Sequence, residues 1–447
     1  NPELLDEVTA LVEWPVVIVG RMEERFMALP PEVIVATVET NQRYFTVFED
    51  AAMTRLKPVF ITIANIESRD VAQIIEGNER VVRPRLSDAM FFWEQDRKQP
   101  FASYRSKLIS ATYQKELGTV DARVDRIQTI ALNIAGAIGA DRDAVSEAAA
   151  LCKNDLVTKM VFEFPELQGL MGGYYARASG ASEVIAKAIG EHYLPIQQGT
   201  PIPSTREGQA LALADKLDQL AGIFAIGQRP SASKDPFALR RAANGVIRIC
   251  VEASLPLNIT QLLGTALKLQ PVGQRDELME IALNGFLQDR MQSYFVGREI
   301  FGKPIPVEVF DAVDKDSKAI NPVDLARRIT SVMVANSNGQ LSALASAHKR
   351  IRNILKQAGD VGIAIDAKLF DNDAEHALFA AMNALDLEGD YTKQLTQLAT
   401  LREPVDAFFA AVMVNADDAA VRANRLALLS QLDKLCCSVA DISLLPG

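Results

Sequence analysis

Cys152-Lys153-Asn154-Asp155-Leu156 and, about sixty residues later, Leu213-Ala214-Asp215-Lys216-Leu217-Asp218 are the segments whose reading decides the fold. Apolar side chains recur at helical spacing around them. Val124, Ile127, Ala131 and Ile134 form one stripe, and Leu213, Leu217, Leu220 and Phe224 form another. This three-to-four-residue period belongs to helices that bury one face. Asp215 and Asp218 are three apart and off the second stripe, where a solvated face or a polar network accommodates them. From about residue 104 onward the pattern is helical. The fold class expected is mainly α, multidomain, with an N-terminal α+β segment.

Helical domains of the HD superfamily hold a divalent metal with a His, then a His-Asp pair, then a late Asp. The two segments resemble such a domain at Asp155 and at Ala214-Asp215. They depart from it where the chemistry is most demanding. Asn154 stands in place of the imidazole of the pair, and no His occurs between 101 and 191. An amide is a poorer ligand than imidazole or carboxylate. The expectation is a retained frame whose metal positions, Asn154, Asp155 and Asp215, are vestigial, with no metal held. Loose Mg²⁺ binding by the two carboxylates is the alternative.

Composition narrows the chemistry further. The 447 residues are 49% hydrophobic and 23% charged, enough apolar content for packed cores. There is no uncharged apolar run of transmembrane length. Three histidines, His192, His348 and His376, lie far apart, so a His-rich metal site or a familiar Ser-His-Asp arrangement is not expected. Cys152, Cys250, Cys436 and Cys437 show no CxxC spacing, and buried free thiols in a reducing cytosol are the plain expectation. No Gly-rich phosphate loop is present, so no catalytic residue is assigned.

Short β-branched or aromatic runs mark residues 1–100: Val16–Val19, Val33–Val38, Tyr44–Phe48 and Val59–Ile63. Pro30-Pro31, Asn41-Gln42 and Lys57-Pro58 separate them, which predicts a small mixed or antiparallel sheet with helices. Asn1 reads as an N-cap with Pro2 in the first helical turn, a start expected of a processed chain or, in preference, of one lacking earlier domains, so that residues 1–100 are expected to be the C-terminal part of a larger N-terminal domain. No basic or apolar leader pattern opens the chain, so no signal peptide is expected. The helical domain is expected over 101–300, a linker over 301–325 containing Gly302, Pro304, Pro306 and Asn321-Pro322, and a second helical domain over 326–447. Residues 196–208 read as a loop, and 357–373 as a Gly/Asp-rich turn region.

The 47 Lys and Arg against 57 Asp and Glu leave a formal charge of −10, which on average argues against a polyanion partner. The charge is uneven, however. From Arg327 to Lys356 there are six basic residues and no acidic one. In that window Leu344, Ala347, Ile351 and Leu355 share one helix face. Lys349, Arg352 and Lys356 share another, Arg350 adds a further cation, and Asn353 and His348 lie nearby as groups able to hydrogen-bond bases. Arg422 and Arg425 add a second basic pair. Lys234, Arg240 and Arg241 follow an Asp235-Pro236 helix start, where guanidinium pairs suit phosphate. Arg80, Arg83 and Arg85 cluster around Pro84 and suit either a phosphodiester or carboxylates that bridge sheet and helices.

Several longer segments carry a family resemblance. They are Leu11 to Pro15, Gly77 to Leu86, Met160 to Phe164, Ala214 to Lys216, Lys234 to Arg241, Arg422 to Leu426 and Val439 to Ser443. Together they resemble the β subunit of the bacterial heterotetrameric glycine–tRNA ligase. The resemblance implies a division of labour. The α subunit activates glycine with ATP and Mg²⁺. The β subunit binds no cofactor and grips tRNA(Gly), in a complex of two α and two β chains in the cytoplasm, with no membrane. It implies an HD-like domain near the acceptor arm, the side of Arg80, Arg83, Arg85, Lys234, Arg240 and Arg241. It also implies a DALR-type anticodon-binding bundle, the side of Lys349, Arg350, Arg352, Asn353, Lys356, Arg422 and Arg425. The alternatives are a metal-dependent HD-type phosphohydrolase and a non-catalytic helical scaffold.

Overall fold

The computed structural model describes residues 1–447 apart from 54, 232, 273–276, 315–318, 340, 360, 361, 363, 446 and 447, and the side chains of 277 and 343. The chain divides into two compact units. One comprises 1–228 and 266–274, the other 229–265 and 275–447.

The first unit opens with a helix over Pro2–Leu11, where the Asn1 side chain accepts from the Leu4 amide and Pro2 occupies the first turn. Three antiparallel strands follow: β1 (Val16–Arg21), β2 (Phe45–Phe48) and β3 (Leu56–Ala64), in the order β1-β3-β2. Val19 lies opposite Ile61 and Gly20 opposite Phe60, while Phe45 meets Ile61 from the other side. Gly20 is required there, because a Cβ would sit 2.3 Å from the Phe60 ring. The run Val33–Val38, expected to be a strand, is helical instead, as Pro31–Val35 and then Ala36–Thr40. Pro31 starts the first helical turn, and Val33, Ile34, Ala36, Thr37 and Val38 are all buried. An apolar run buried on all sides carries no period to separate strand from helix.

A 26-residue helix, Val71–Asp96, runs from the sheet into the helical part of the unit. Its last carboxylate, Asp96, accepts from the amides of Lys159 and Met160 at 3.0 Å and from the Tyr175 hydroxyl at 2.9 Å. The helices Val120–Ile138, Arg142–Leu151 and Glu183–Glu191 then pack around Arg206–Ala225, in which 17 residues are buried, and Leu170–Ala178 packs against Glu183–Glu191. The loop expected over 196–208 ends at Thr205, whose hydroxyl caps this helix through the Gly208 amide.

The second unit is a stack of helices that includes Leu239–Glu252, Glu277–Phe295, Pro322–Ser337, Ser342–Ala358, Asp373–Asn383, Tyr391–Ala399, Arg402–Ala411 and Ala419–Cys436. Residues 229–265 and 275–300, expected to extend the HD-like domain, group with this unit. The stretch 301–325 is no bare connection. It contributes one arm of a hairpin, Lys303–Pro304, and a helix, Val307–Asp314, that buries Val309, Phe310, Ala312 and Val313. Residues 315–318 of that stretch, and 360, 361 and 363 of the expected turn region, lie outside the described residues.

Candidate nucleic-acid interface

Two polar constellations stand out, one in each unit. In the first unit, the helices Val120–Ile138 and Arg206–Ala225 lie side by side and are joined by charge. Arg123 pairs with Asp215 at 3.0 Å and with Asp218 at 3.3 Å, and Arg126 pairs with Asp218 at 2.7 Å. Asp215 and Asp218 are buried, so the polar-network reading holds and the solvated one does not.

The ammonium of Lys153 lies at the centre of this network. It is 2.9 Å from Asp215 Oδ1, 2.8 Å from His192 Nε2 and 3.9 Å from the centre of the Tyr193 ring. Its side chain is 1% exposed. His192 Nδ1 faces the Ile189 carbonyl at 2.6 Å, so the partners define the tautomer: Nδ1–H donates and Nε2 accepts from the ammonium. Burial, and then Lys153, hold the His192 pKa well below its usual range, which keeps the ring neutral. Burial alone would raise Asp215, but Lys153 and Arg123 hold its carboxyl far below the usual range. Burial lowers the neighbouring Lys216 to about 8, and its ammonium donates to the Leu194 carbonyl at 2.7 Å.

These residues do not fit the divalent metal that an HD frame implies. An internal cation already bridges the late Asp and the only nearby imidazole. The Asn154 amide nitrogen donates to the Phe101 carbonyl at 3.1 Å. Asp155 is turned to backbone, accepting from the Gly172 amide at 3.1 Å and from Gly169. Gly169 has φ +81, and a Cβ there would meet Tyr193 at 2.6 Å. Asp155 Oδ1 is buried without a partner, and burial pushes this carboxyl up to about 6. Sequence reading identified Asp155 and Asp215 but missed Lys153, His192 and the two arginines. The Lys was in plain sight beside Asn154.

The candidate cations on the long helix point outward. Arg80, Arg83 and Arg85 are exposed, with Pro84 inside the helix. Arg83 pairs with Glu23 at 2.8 Å, so one of the three serves a carboxylate within the unit.

In the second unit, Asp235 caps the helix Leu239–Glu252 by accepting from the amides of Leu239 at 2.8 Å and Arg240 at 3.0 Å. The helix begins after a left-handed Ala238, not at Pro236 as expected. Arg240 turns back to the Ser231 carbonyl, whereas Lys234 and Arg241 are exposed.

The basic helix Ser342–Ala358 forms as expected, with Leu344 and Ile351 in the core. Two of its members are not free surface groups. His348 is fully buried and donates from Nε2 to Asp433 at 2.7 Å. Arg352 is held by Asp441 and lies 3.5 Å from Asp433. His348, Asp433 and Cys437 converge closely enough to suggest a metal site, but the Arg352 guanidinium already balances the carboxylates there. Arg425 is likewise structural: its side chain is 7% exposed, it forks onto Glu375 at 2.9 and 3.1 Å, and it also meets Asp371 and the Met413 carbonyl. Arg352 and Arg425, expected on the anticodon side, are thus turned onto carboxylates of the chain itself. A basic residue at helical spacing does not reveal which acid elsewhere in the chain turns it inward.

Lys349, Arg350, Asn353, Lys356 and Arg422 are exposed. Among the described residues, Lys349, Lys356 and Arg422 make no ion pair. The Arg350 guanidinium lies over Phe409, 4.1 Å from the ring centre. These two side chains line a cavity of about 670 Å³ together with Ile354, Gln357, Met413 and Asn415. A cleft with a π face and amides, beside a helix that exposes further cations, offers the groups that hold unpaired bases and phosphates. The first unit thus holds an internal ion network where a metal frame was expected, and the second is a helical bundle with an open cleft lined by a cation, a ring and amides.

Comparison with known families agrees. Residues 1–313 match the sequence model described as glycyl-tRNA synthetase beta subunit, and residues 344–438 match the DALR anticodon binding domain. The chain belongs to the glycyl-tRNA synthetase beta subunit family. Among its relatives, the glycine–tRNA ligase beta subunit of Chromohalobacter salexigens is 48% identical over 453 residues, which is 99% of this chain and 64% of the relative. That of Pseudomonas syringae pv. tomato is 44% identical over 460 residues, covering 99% and 65%. That of Acinetobacter baumannii is 45% identical over 455 residues, covering 100% and 65%. The chain thus spans just under two thirds of the length of the curated relatives it matches.

Proposed function

We propose that this chain is the tRNA-gripping part of a glycine–tRNA ligase β subunit and supports ATP-dependent attachment of glycine to tRNA(Gly) at a partner α subunit. The complex would be two α and two β chains in the cytoplasm. ATP and Mg²⁺ would be held by α and no cofactor by this chain. Among the described residues no helix is long and apolar enough to cross a membrane.

The observation that carries the reading is the open cleft of the C-terminal bundle, where Arg350 covers Phe409 on a helix that also exposes Lys349, Asn353 and Lys356. The stretch matching the DALR domain contains all of these groups, and Arg422 as well. Anticodon bases would stack against Arg350 and Phe409, while the lysines and Arg422 neutralise flanking phosphates. On the acceptor side, Arg80, Arg85, Lys234 and Arg241 are, among the described residues, the exposed candidates that make no ion pair, whereas exposed Arg83 is engaged by Glu23. The acidic total does not oppose this, because binding responds to local potential rather than to the sum.

The test is tRNA(Gly) binding against salt, read by fluorescence anisotropy. Removing a cation that neutralises one phosphate reduces the slope of log affinity against log salt by about 0.7–0.9. Changing Lys349, Arg350 and Lys356 together to Ala is expected to reduce the slope by about 1.4–1.8, the share of the two lysines, and to lower affinity further through the lost Arg350 stack. An unchanged slope in a folded variant would remove the bundle face from the interface.

A further inference from the structure

The three-stranded sheet carries apolar side chains on both of its faces. Residues opposite one another in a ladder share a face. Val19, Ile61 and Phe45 therefore form one row, Val17 and Ile63 the next, and Arg21 and Val59 a third. The reverse face, with Ile18, Gly20 and Phe60, is buried. On the first face Val17 is 63% exposed and Val19 50%, while Val59, Ile61, Ile63 and Phe45 are only partly covered. A sheet that meets water on one side alternates apolar with polar residues, whereas a sheet covered on both sides reads as unbroken apolar runs. Val16–Val19 and Val59–Ile63 are of the second kind, and the layer they call for is missing on one side.

We propose that this open face is the docking surface for a further layer of the family's own polypeptide, supplied by the part of the longer chain that the residues matched here do not include. Two observations select that occupant. The relatives match nearly all of this chain, yet the match accounts for only 64–65% of their length, so about a third of their sequence is available to supply a layer. The face also has the composition of an interior. Interfaces that form and dissociate are about as apolar as ordinary surface, but here charge is confined to one end of the face, at Arg21 and, beyond Val59, at Lys57. The segment that docks would present a continuous apolar stripe to Val17, Val19, Ile61 and Ile63, as a helix or as strands of a second sheet.

The test uses Val19→Cys, a conservative change at an exposed site, in the 447-residue chain and in the same chain extended to the relatives' full length. Reaction with a maleimide is followed, with the parent proteins giving the background from Cys437, the one cysteine not buried. The cysteine is expected to react freely in the 447-residue chain at every concentration, and at least tenfold more slowly in the extended one. Equal reactivity in both would overturn the proposal. So would protection of the 447-residue chain that grows with its own concentration, which would assign the face to a second copy. Protection of the extended chain that appears only on adding the α subunit would assign it to that partner and overturn the proposal as well. As an independent measurement, Val19→Lys is expected to lower the melting temperature of the extended chain by several degrees and to leave the 447-residue chain unchanged. A drop in neither protein, or the same drop in both, would count against the proposal.

Discussion

Replacing Lys153 by Met keeps most of the length and the apolar stem of the side chain and removes its charged, hydrogen-bonding end, which makes it the sharpest probe of the buried ion network of the first unit. At 2.9 Å the attraction between the Lys153 ammonium and Asp215 is about 6 kcal/mol at an effective dielectric of ~20, before desolvation is counted. Desolvation of two buried ions cancels much of that, so the pair as a whole contributes little net stability. Removing one member is different. Asp215 keeps Arg123 at 3.0 Å but loses its nearer partner, and His192 Nε2 is left without a donor. The expected cost is about 3–5 kcal/mol. Both tryptophans, Trp14 and Trp93, lie in the first unit, so fluorescence follows its urea unfolding separately. With an m-value of about 2 kcal/mol per molar, the midpoint should fall by roughly 1.5–2.5 M. Adding Asp215→Asn should restore part of the loss, because the buried carboxylate, left with Arg123 alone, is then gone. If Lys153→Met unfolds at or above the midpoint of the parent, the ammonium is not the keystone described here.

Other outcomes follow from the same geometry. Asp155 has a folded-state pKa raised to about 6, so the folded state binds the proton more tightly and this group's stabilisation fades as pH rises from about 4 to above 6. Relative to the parent, Asp155→Asn should therefore gain up to ~3 kcal/mol between pH 4 and pH 7.5, and a pH-independent difference in melting curves would contradict this. Arg425→Ala should destabilise the second unit by about 3–5 kcal/mol, because Glu375 is left charged and buried, whereas exposed Arg422→Ala should stay within ~0.5 kcal/mol by circular dichroism and still weaken tRNA binding. Mn²⁺ or Zn²⁺ at about 1 mM should leave the melting of the first unit unmoved, since Lys153 occupies the space between Asp215 and His192. A stoichiometric metal accompanied by a higher melting temperature would revive the phosphohydrolase alternative.

Much of this was legible in the sequence because the signals are local. The Asn1-Pro2 helix start, the strands at Val16–Val19 and Val59–Ile63, and the Leu344/Ile351 face rest on caps and periods within a few residues. Val33–Val38 was misread because burial on all sides erases periodicity. At the sites, residue types were legible and partners were not. Lys349 and Arg352 lie on one helix with the same local signal, yet only Arg352 meets Asp433 and Asp441, more than eighty residues away. Likewise, nothing near Asn154 indicates that His192, supplied by the end of another helix, meets Lys153 in place of a metal.

The most direct test of the central claim is steady-state glycylation of tRNA(Gly) by the α subunit together with this chain extended to the relatives' full length, for the parent and for Lys349, Arg350 and Lys356 changed together to Ala. The account predicts a KM for tRNA raised about tenfold or more, corresponding to ~1.4 kcal/mol or more of lost binding, with glycine-dependent ATP–pyrophosphate exchange unchanged. Collapse of exchange with an unchanged KM for tRNA would contradict it.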